Sequence, residues 1–160
     1  MSDEDRDGTP EEEARELREE MERQVLEIYG PTVLDHWKHP RNLGLVEGAD
    51  GYARLQGPCG DTMEMTVRMD GDVVADCGFR TDGCGTTIVC GSAATWLAKG
   101  RSFVDALGAV GARGILELLG GLPKSDVHCA ELAAETLRLA LADHLAHRGS
   151  PWKRKYRKMG

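Results

Sequence analysis

A segment near the middle of the chain alternates strictly between apolar and polar residues, which is the pattern of a half-buried β-strand. Its apolar positions are Met63, Met65, Val67 and Met69, and its polar positions are Thr62, Glu64, Thr66 and Arg68. Asp70-Gly71 follows as a hairpin turn. The inner face of the return strand is predicted at Val73, Ala75, Cys77 and Phe79. With residues 52–56 as a third strand, the pattern predicts a small antiparallel sheet with one covered face.

From Thr86 onward the apolar residues recur every three or four positions, which is the period of a helix. The predicted helices span residues 88–99, 102–107, 112–119 and 130–147. Because the strands come first and the helices afterwards, we expect an α+β domain whose helices pack on one face of the sheet.

The N-terminal part of the chain carries a further helix signal. Thr9 and Glu12 have the spacing of a capping box, and Gly30-Pro31 ends the helix. A short helical turn is predicted over residues 32–38. The first helix has a narrow apolar stripe formed by Ala14, Leu17, Met21, Val25 and Ile28. We expect this stripe to pack on its own domain, and pairing with another helix is the alternative.

Charge divides the 160-residue chain into three parts. Residues 1–24, an acidic and partly helical extension, hold eleven acids and four bases, whereas residues 148–160, a basic tail, hold six bases and no acid. Residues 25–147 form the predicted domain. An acidic body is not the footprint of a nucleic-acid binder, whose folded face is basic. The tail is either a solvated end or a docking segment for an acidic partner or nucleic acid.

The five cysteines are an odd number, which argues against a complete disulfide framework and favours metal binding or thiol chemistry. The chain has no apolar run long enough to span a bilayer and does not open with a signal-peptide pattern. We therefore expect a cytoplasmic protein with reduced thiols and no membrane contact.

Three of the cysteines stand beside other potential metal ligands. Cys59 lies two residues before Asp61, Cys84 lies between two glycines, and Cys129 follows His128. Thiolates, an imidazole and a carboxylate together suit iron, an iron–sulfur cluster or zinc better than calcium or magnesium. Since the three cysteines are far apart in sequence, the fold has to assemble the site. A carboxylate among thiolates exchanges readily, which suits a carrier better than a structural zinc site.

The predicted helices place Cys84 and Cys129 at helix starts, where the helix dipole lowers the pKa of a thiol. Simpler roles are open for three of the candidates, because Asp61 can cap a turn, His128 can be a polar residue of a helix start, and Cys129 can be a buried apolar residue. The remaining two cysteines, Cys77 and Cys90, are predicted to lie in the core.

With these residues assembled, the chain resembles the iron–sulfur cluster assembly scaffolds of the IscU and NifU N-terminal type. The likeness covers roughly residues 24–147. The motifs that carry it are IYGPTVLDH at 28–36, HPRNLG at 39–44, PCGD at 58–61, FRTDGCG at 79–85 and HC at 128–129.

The resemblance implies an IscU-like fold and a protein that is not an enzyme. It implies that Cys59, Cys84 and Cys129 are cluster ligands and sulfur acceptors, with Asp61 and His128 at an exchangeable fourth position. The cofactor would be a transient [2Fe–2S] cluster, with zinc as an alternative at the same site. The partners would be a cysteine desulfurase and recipient apo-proteins, and homodimerisation is left open.

Two other functions are compatible with parts of the pattern. One is a zinc-binding sulfur relay of the SufU type, which uses a similar set of three cysteines and an aspartate. That type usually carries an insertion between its second and third cysteines, and the spacing from Cys84 to Cys129 leaves little room for one. The other is a thiol-dependent enzyme in which His128 activates Cys129, but no third residue that would orient the imidazole is evident. The scaffold is the preferred interpretation.

Overall fold

A computed structural model describes residues 8–148 and confirms the predicted α+β class. The helices are α1 (Pro10–Tyr29), α2 (Pro31–Lys38), α3 (Gly85–Ala98), α4 (Phe103–Ala109), α5 (Ala112–Leu119) and α6 (Val127–His147), with a 3₁₀ turn at Lys124–Asp126. The strands are β1 (Gly51–Gln56), β2 (Thr62–Asp70) and β3 (Val73–Thr81), and they form one antiparallel sheet in the order β1-β2-β3.

At the tip of the β2–β3 hairpin, the residues that face the core differ from those predicted. An irregularity in the register after Arg68 pairs Met69 with Val74. Val74 is therefore fully buried, whereas Val73 is 41% exposed and Ala75 is only partly buried. The prediction was wrong at Val73 and Ala75 because an extra residue in one strand interrupts the alternation of inward and outward side chains.

Helices α3 and α6 cover the inner face of the sheet. Met63, Met65 and Phe79 are fully buried between the layers. On α3, a Cβ atom at Gly91 would lie 2.5 Å from the Phe79 ring, so the helix approaches the sheet more closely than an alanine would allow. This close packing sets the distance between α3 and β3.

The free edge of β3 is covered by the connector that precedes β1. The Phe79 N–H donates to the carbonyl oxygen of Asn42 at 3.0 Å, and the Gly44 N–H donates to the carbonyl oxygen of Phe79 at 2.7 Å. Asn42 adopts a positive φ of 60°, which is uncommon outside glycine. The HPRNLG motif therefore closes a sheet edge that would otherwise be open to pairing.

A buried histidine joins α2 to α3. His36 is 4% exposed, and its Nδ1 lies 2.7 Å from the Ser92 hydroxyl, which also accepts the Arg41 N–H at 2.8 Å. Burial lowers the pKa of His36, and the nearby Arg41 guanidinium lowers it further. The Ser92 hydroxyl of α3 thus holds both the neutral imidazole of α2 and the start of the connector at Arg41.

Helix α1 begins with the predicted capping box between Thr9 and Glu12. The expected packing of its whole apolar stripe is wrong, because none of its residues is buried and Leu17 and Ile28 are each 63% exposed. Only the last turns, at Val25 and Tyr29, pack against the core. None of the helices within residues 8–148 has the length and apolar character needed to cross a membrane.

Candidate metal centre

Cys59 and Asp61 lie in the tight turn between β1 and β2. The Gly57 N–H donates to the Asp61 carbonyl oxygen at 2.7 Å, and the Gly60 N–H donates to the Gly57 carbonyl oxygen at 3.0 Å. Gly60 has a φ of 86°, a conformation that glycine adopts without strain. The turn leaves the Cys59 thiol exposed at the end of the sheet.

Cys84 reaches the same end of the sheet from β3. The Thr62 N–H donates to Asp82 Oδ1 at 2.7 Å, which ties the segment after β3 to the first residue of β2. A Cβ atom at Gly83 would lie 2.9 Å from Asp61 Oδ2, so only glycine lets the two loops approach this closely. Cys84 is then the N-cap of α3, as expected from its position before the predicted helix, although the helix begins three residues earlier than predicted.

His128 and Cys129 lie in the first turn of α6, which also begins three residues before the predicted start. The His128 Nε2 atom is 3.3 Å from the Cys59 sulfur and 3.6 Å from the Cys129 sulfur. The imidazole therefore bridges two cysteines that are distant in sequence. Cys59 is exposed, whereas Cys129 is 2% exposed and belongs to the edge of the core.

Thr87 links Asp61, Cys84 and Cys129, and it was not among the residues predicted from the sequence. Its hydroxyl is 3.0 Å from Asp61 Oδ2, 3.6 Å from the Cys129 sulfur and 3.7 Å from the Cys84 sulfur. The residue is fully buried. Its spacing of three from Cys84 at a helix start puts both on one helix face, and this was the available signal.

The two thiols at helix starts differ in their acidity. The backbone N–H of Thr87 at the N-terminus of α3 lowers the pKa of Cys84, with a smaller contribution from the Thr87 hydroxyl. Burial raises the pKa of Cys129 despite its place in the first turn of α6. The expectation of a lowered pKa is confirmed for Cys84 and wrong for Cys129, because loss of hydration outweighs the helix dipole at the buried site.

The other two cysteines lie in the core, as predicted. Cys77 is 1% exposed and its thiol donates to the Thr95 carbonyl oxygen at 3.2 Å. Burial raises the pKa of Cys77 to about 12 and also raises the pKa of the fully buried Cys90. Both thiols are held in the protonated form and are inert at neutral pH.

Tyr29 at the end of α1 also reaches this region and was not among the predicted residues. Its hydroxyl donates to Asp126 Oδ2 at 3.0 Å, just before the first turn of α6. This hydrogen bond and partial burial raise the pKa of Tyr29. The end of α1 is thereby fastened beside the cysteines, whereas the rest of α1 stays exposed.

The five predicted donors are neighbours, but their contacts run through the Thr87 hydroxyl and the His128 imidazole. Across residues 8–148, no three Cys, His, Asp or Glu side chains form a ready-made ion site. Three thiols, one imidazole and one carboxylate are nevertheless a donor set that fits iron or zinc. Capture of metal would require the Cys59 turn and the first turns of α3 and α6 to bring these donors closer together.

Comparisons of the sequence with known proteins point to one family. The sequence model of the NifU-like N-terminal domain matches residues 28–150. Iron–sulfur cluster assembly scaffold protein IscU 1 of Archaeoglobus fulgidus is 39% identical over 123 residues, covering 76% of this chain and 80% of the relative. Its Aquifex aeolicus counterpart, scaffold protein IscU, is 40% identical over 124 residues, covering 76% and 78%.

Among solved structures, a Fervidobacterium islandicum AW-1 protein assigned to iron–sulfur cluster assembly for the SUF system has a similar fold. The TM-score is 0.58 at 21% identity, and the match covers 72% of this chain and 98% of the other. At this identity the likeness concerns the fold alone.

Proposed function

The chain belongs to the NifU-like N-terminal domain family, and from this premise we propose that it is a scaffold on which an iron–sulfur cluster is assembled and then passed on. The observation that carries the proposal is the convergence of three cysteines, an aspartate and a histidine around the Thr87 hydroxyl and the His128 imidazole. The cluster is cargo, so the site has to bind it and also release it.

We propose that the thiolates of Cys59, Cys84 and Cys129 bind the cluster. A [2Fe–2S] cluster commonly takes four protein ligands, so one more is needed. Asp61 and His128 are the two candidates for that position. The His128 imidazole contacts the sulfurs of Cys59 and Cys129 directly, and Asp61 shares the Thr87 hydroxyl with Cys84 and Cys129. Zinc is the alternative metal at the same donors, since it also accepts thiolate, imidazole and carboxylate ligands.

Sulfur would arrive as a persulfide on a cysteine desulfurase. A site thiolate attacks the outer sulfur of that persulfide, the S–S bond of the desulfurase breaks, and its cysteine leaves as a thiolate. The chain itself then carries the persulfide and catalyses no net reaction. Because this chemistry needs reduced thiols, the cytoplasm is the proposed compartment.

Release would proceed through the position held by Asp61. A carboxylate is the hardest donor of the set and therefore the weakest partner for iron in a thiolate environment. A cysteine of a recipient apo-protein can displace it without breaking any of the three thiolate bonds first. An exchangeable ligand at an exposed edge thus allows the cluster to pass to another protein.

The test is anaerobic reconstitution with ferrous iron, cysteine and a cysteine desulfurase, followed by absorption spectroscopy. We expect broad visible charge-transfer bands that are lost in Cys59→Ala, Cys84→Ala and Cys129→Ala. Cys77→Ala is the matched control, because that thiol is buried in the core. A colourless protein that retains zinc would instead support the sulfur relay, and bands that survive all three site variants would refute the ligand assignment.

A further inference from the structure

The shortest hydrogen bond of the Thr87 hydroxyl reaches a residue outside its own helix, unlike those of the other buried helical threonines within residues 8–148. Thr95 donates to the Gly91 carbonyl oxygen at 2.9 Å, and Thr136 donates to the Leu132 carbonyl oxygen at 2.7 Å, each four residues back. Thr87 is buried to the same degree, yet it donates to Asp61 Oδ2 at 3.0 Å, across the site.

The bond to Asp61 is the strongest that this hydroxyl can make. A hydroxyl has one proton, and a carboxylate is a better acceptor than a thiol sulfur. The longer contacts of this hydroxyl, at 3.6 Å to the Cys129 sulfur and 3.7 Å to the Cys84 sulfur, compete for the same proton and are weaker. A metal ion bound to the sulfurs would withdraw electron density from them and make them poorer acceptors, so metal binding favours the bond from Thr87 to Asp61 Oδ2.

The geometry of the carboxylate adds a second argument. Thr87 engages Oδ2, and within residues 8–148 no hydrogen bond is formed by Oδ1. A carboxylate held through one oxygen presents the other in a fixed direction. Hydrogen bonds of this kind behind a ligating side chain commonly change metal affinity by about 10- to 100-fold.

On the premise that these donors hold metal as proposed above, we propose that Thr87 is a positioning residue for Asp61. Its hydroxyl holds one carboxylate oxygen so that the other faces the incoming ion. Thr87 acts through Asp61 and does not itself ligate metal.

The test uses Co²⁺ alone as the probe, titrated into the anaerobic, reduced, full-length protein. Thiolate-to-cobalt charge-transfer bands report binding without desulfurase, cluster or recipient. Thr87→Val removes the hydroxyl at nearly constant volume, and we expect it to weaken Co²⁺ binding by about tenfold. Thr87→Ser keeps the hydroxyl and should restore most of the affinity. Thr87→Ala serves as the hydroxyl-free variant if the valine does not fold.

A double-mutant cycle separates positioning from a general structural role. In the Asp61→Ala background, Thr87→Val should have no further effect on Co²⁺ affinity, because the group through which Thr87 acts is absent. An equal loss of affinity in both backgrounds would refute the proposal, as would an unchanged affinity in Thr87→Val with Asp61 present.

The same titration distinguishes this proposal from the scaffold function. A wild-type protein that gives no charge-transfer bands would refute the ligand set and the role of Thr87 together. A wild-type protein that binds Co²⁺ but assembles no cluster with the desulfurase would refute the scaffold function alone, and the cycle would still decide the role of Thr87.

Discussion

Gly91 lies where α3 packs on the sheet, and replacing it with alanine tests how that helix is held. A Cβ atom there would lie 2.5 Å from Cδ2 and 2.7 Å from Cε2 of Phe79. Both residues are fully enclosed, so the ring has no open side toward which to move. The substitution therefore forces a shift of α3 away from β3 or a strained rotamer of Phe79.

The expected magnitude follows from two opposing effects. Adding a methyl group to a filled core costs about 1–3 kcal/mol, and a contact this short belongs near the upper limit. Alanine in place of a helical glycine contributes about 1 kcal/mol in the opposite direction. We expect Gly91→Ala to lower the free energy of unfolding by about 2 kcal/mol, which corresponds to a melting temperature lower by about 4–8 °C for a chain of this size.

Urea unfolding followed by circular dichroism measures this difference, and Gly108→Ala is the matched control. Gly108 lies in α4, is exposed, and has no heavy atom within 4 Å of its Cβ position. The same substitution should there stabilise the protein by up to about 1 kcal/mol. If Gly91→Ala stabilises the protein as Gly108→Ala does, the close approach of α3 to the sheet is wrong.

Three further outcomes follow from the site and its supports. Alkylation at neutral pH, followed by mass spectrometry, should modify Cys84 faster than Cys129, because the pKa of Cys84 is lowered and burial raises that of Cys129; equal rates would contradict the difference in burial. The free energy of unfolding should fall as pH drops below about 6.5, because the pKa of His36 is lowered in the folded protein. The unfolded chain therefore binds a proton at His36 more readily than the folded chain does. His36→Asn should flatten this dependence in urea titrations at several pH values, and a slope identical to wild type would exclude His36 as its source. Asp61→Ala should slow cluster transfer to a recipient apo-protein, followed by absorption, since the exchangeable oxygen ligand is gone; transfer at the wild-type rate would remove Asp61 from the release step.

Sequence periodicity located the elements well where a single physical rule decided them. Met63, Met65 and Val67 alternate with polar residues and are fully buried, as predicted. Periodicity failed at the first turns of two helices. The helix starts at Gly85 and Val127 were each predicted three residues late, because glycine, cysteine and histidine give no apolar period by which to recognise a first turn.

The N-terminal helix also separates what local sequence predicts from what it does not. Its capping box and its end at Tyr29 could be predicted from the sequence, because caps are local interactions between residues three or four apart. Whether its apolar stripe is covered depends on where the domain ends, and the stripe is left exposed at Leu17 and Ile28. A stripe alone does not specify the surface that it meets.

The sequence by itself determined the donor types at the candidate site, since thiol, imidazole and carboxylate groups beside glycines already exclude a calcium or magnesium preference. Only the tertiary structure brought Cys59 within reach of His128, raised the pKa of Cys129 and placed Thr87 among them. The reason is that acidity and contact depend on burial and distance, and both are set by how α3 and α6 pack on the sheet, which residues far apart in the chain decide together.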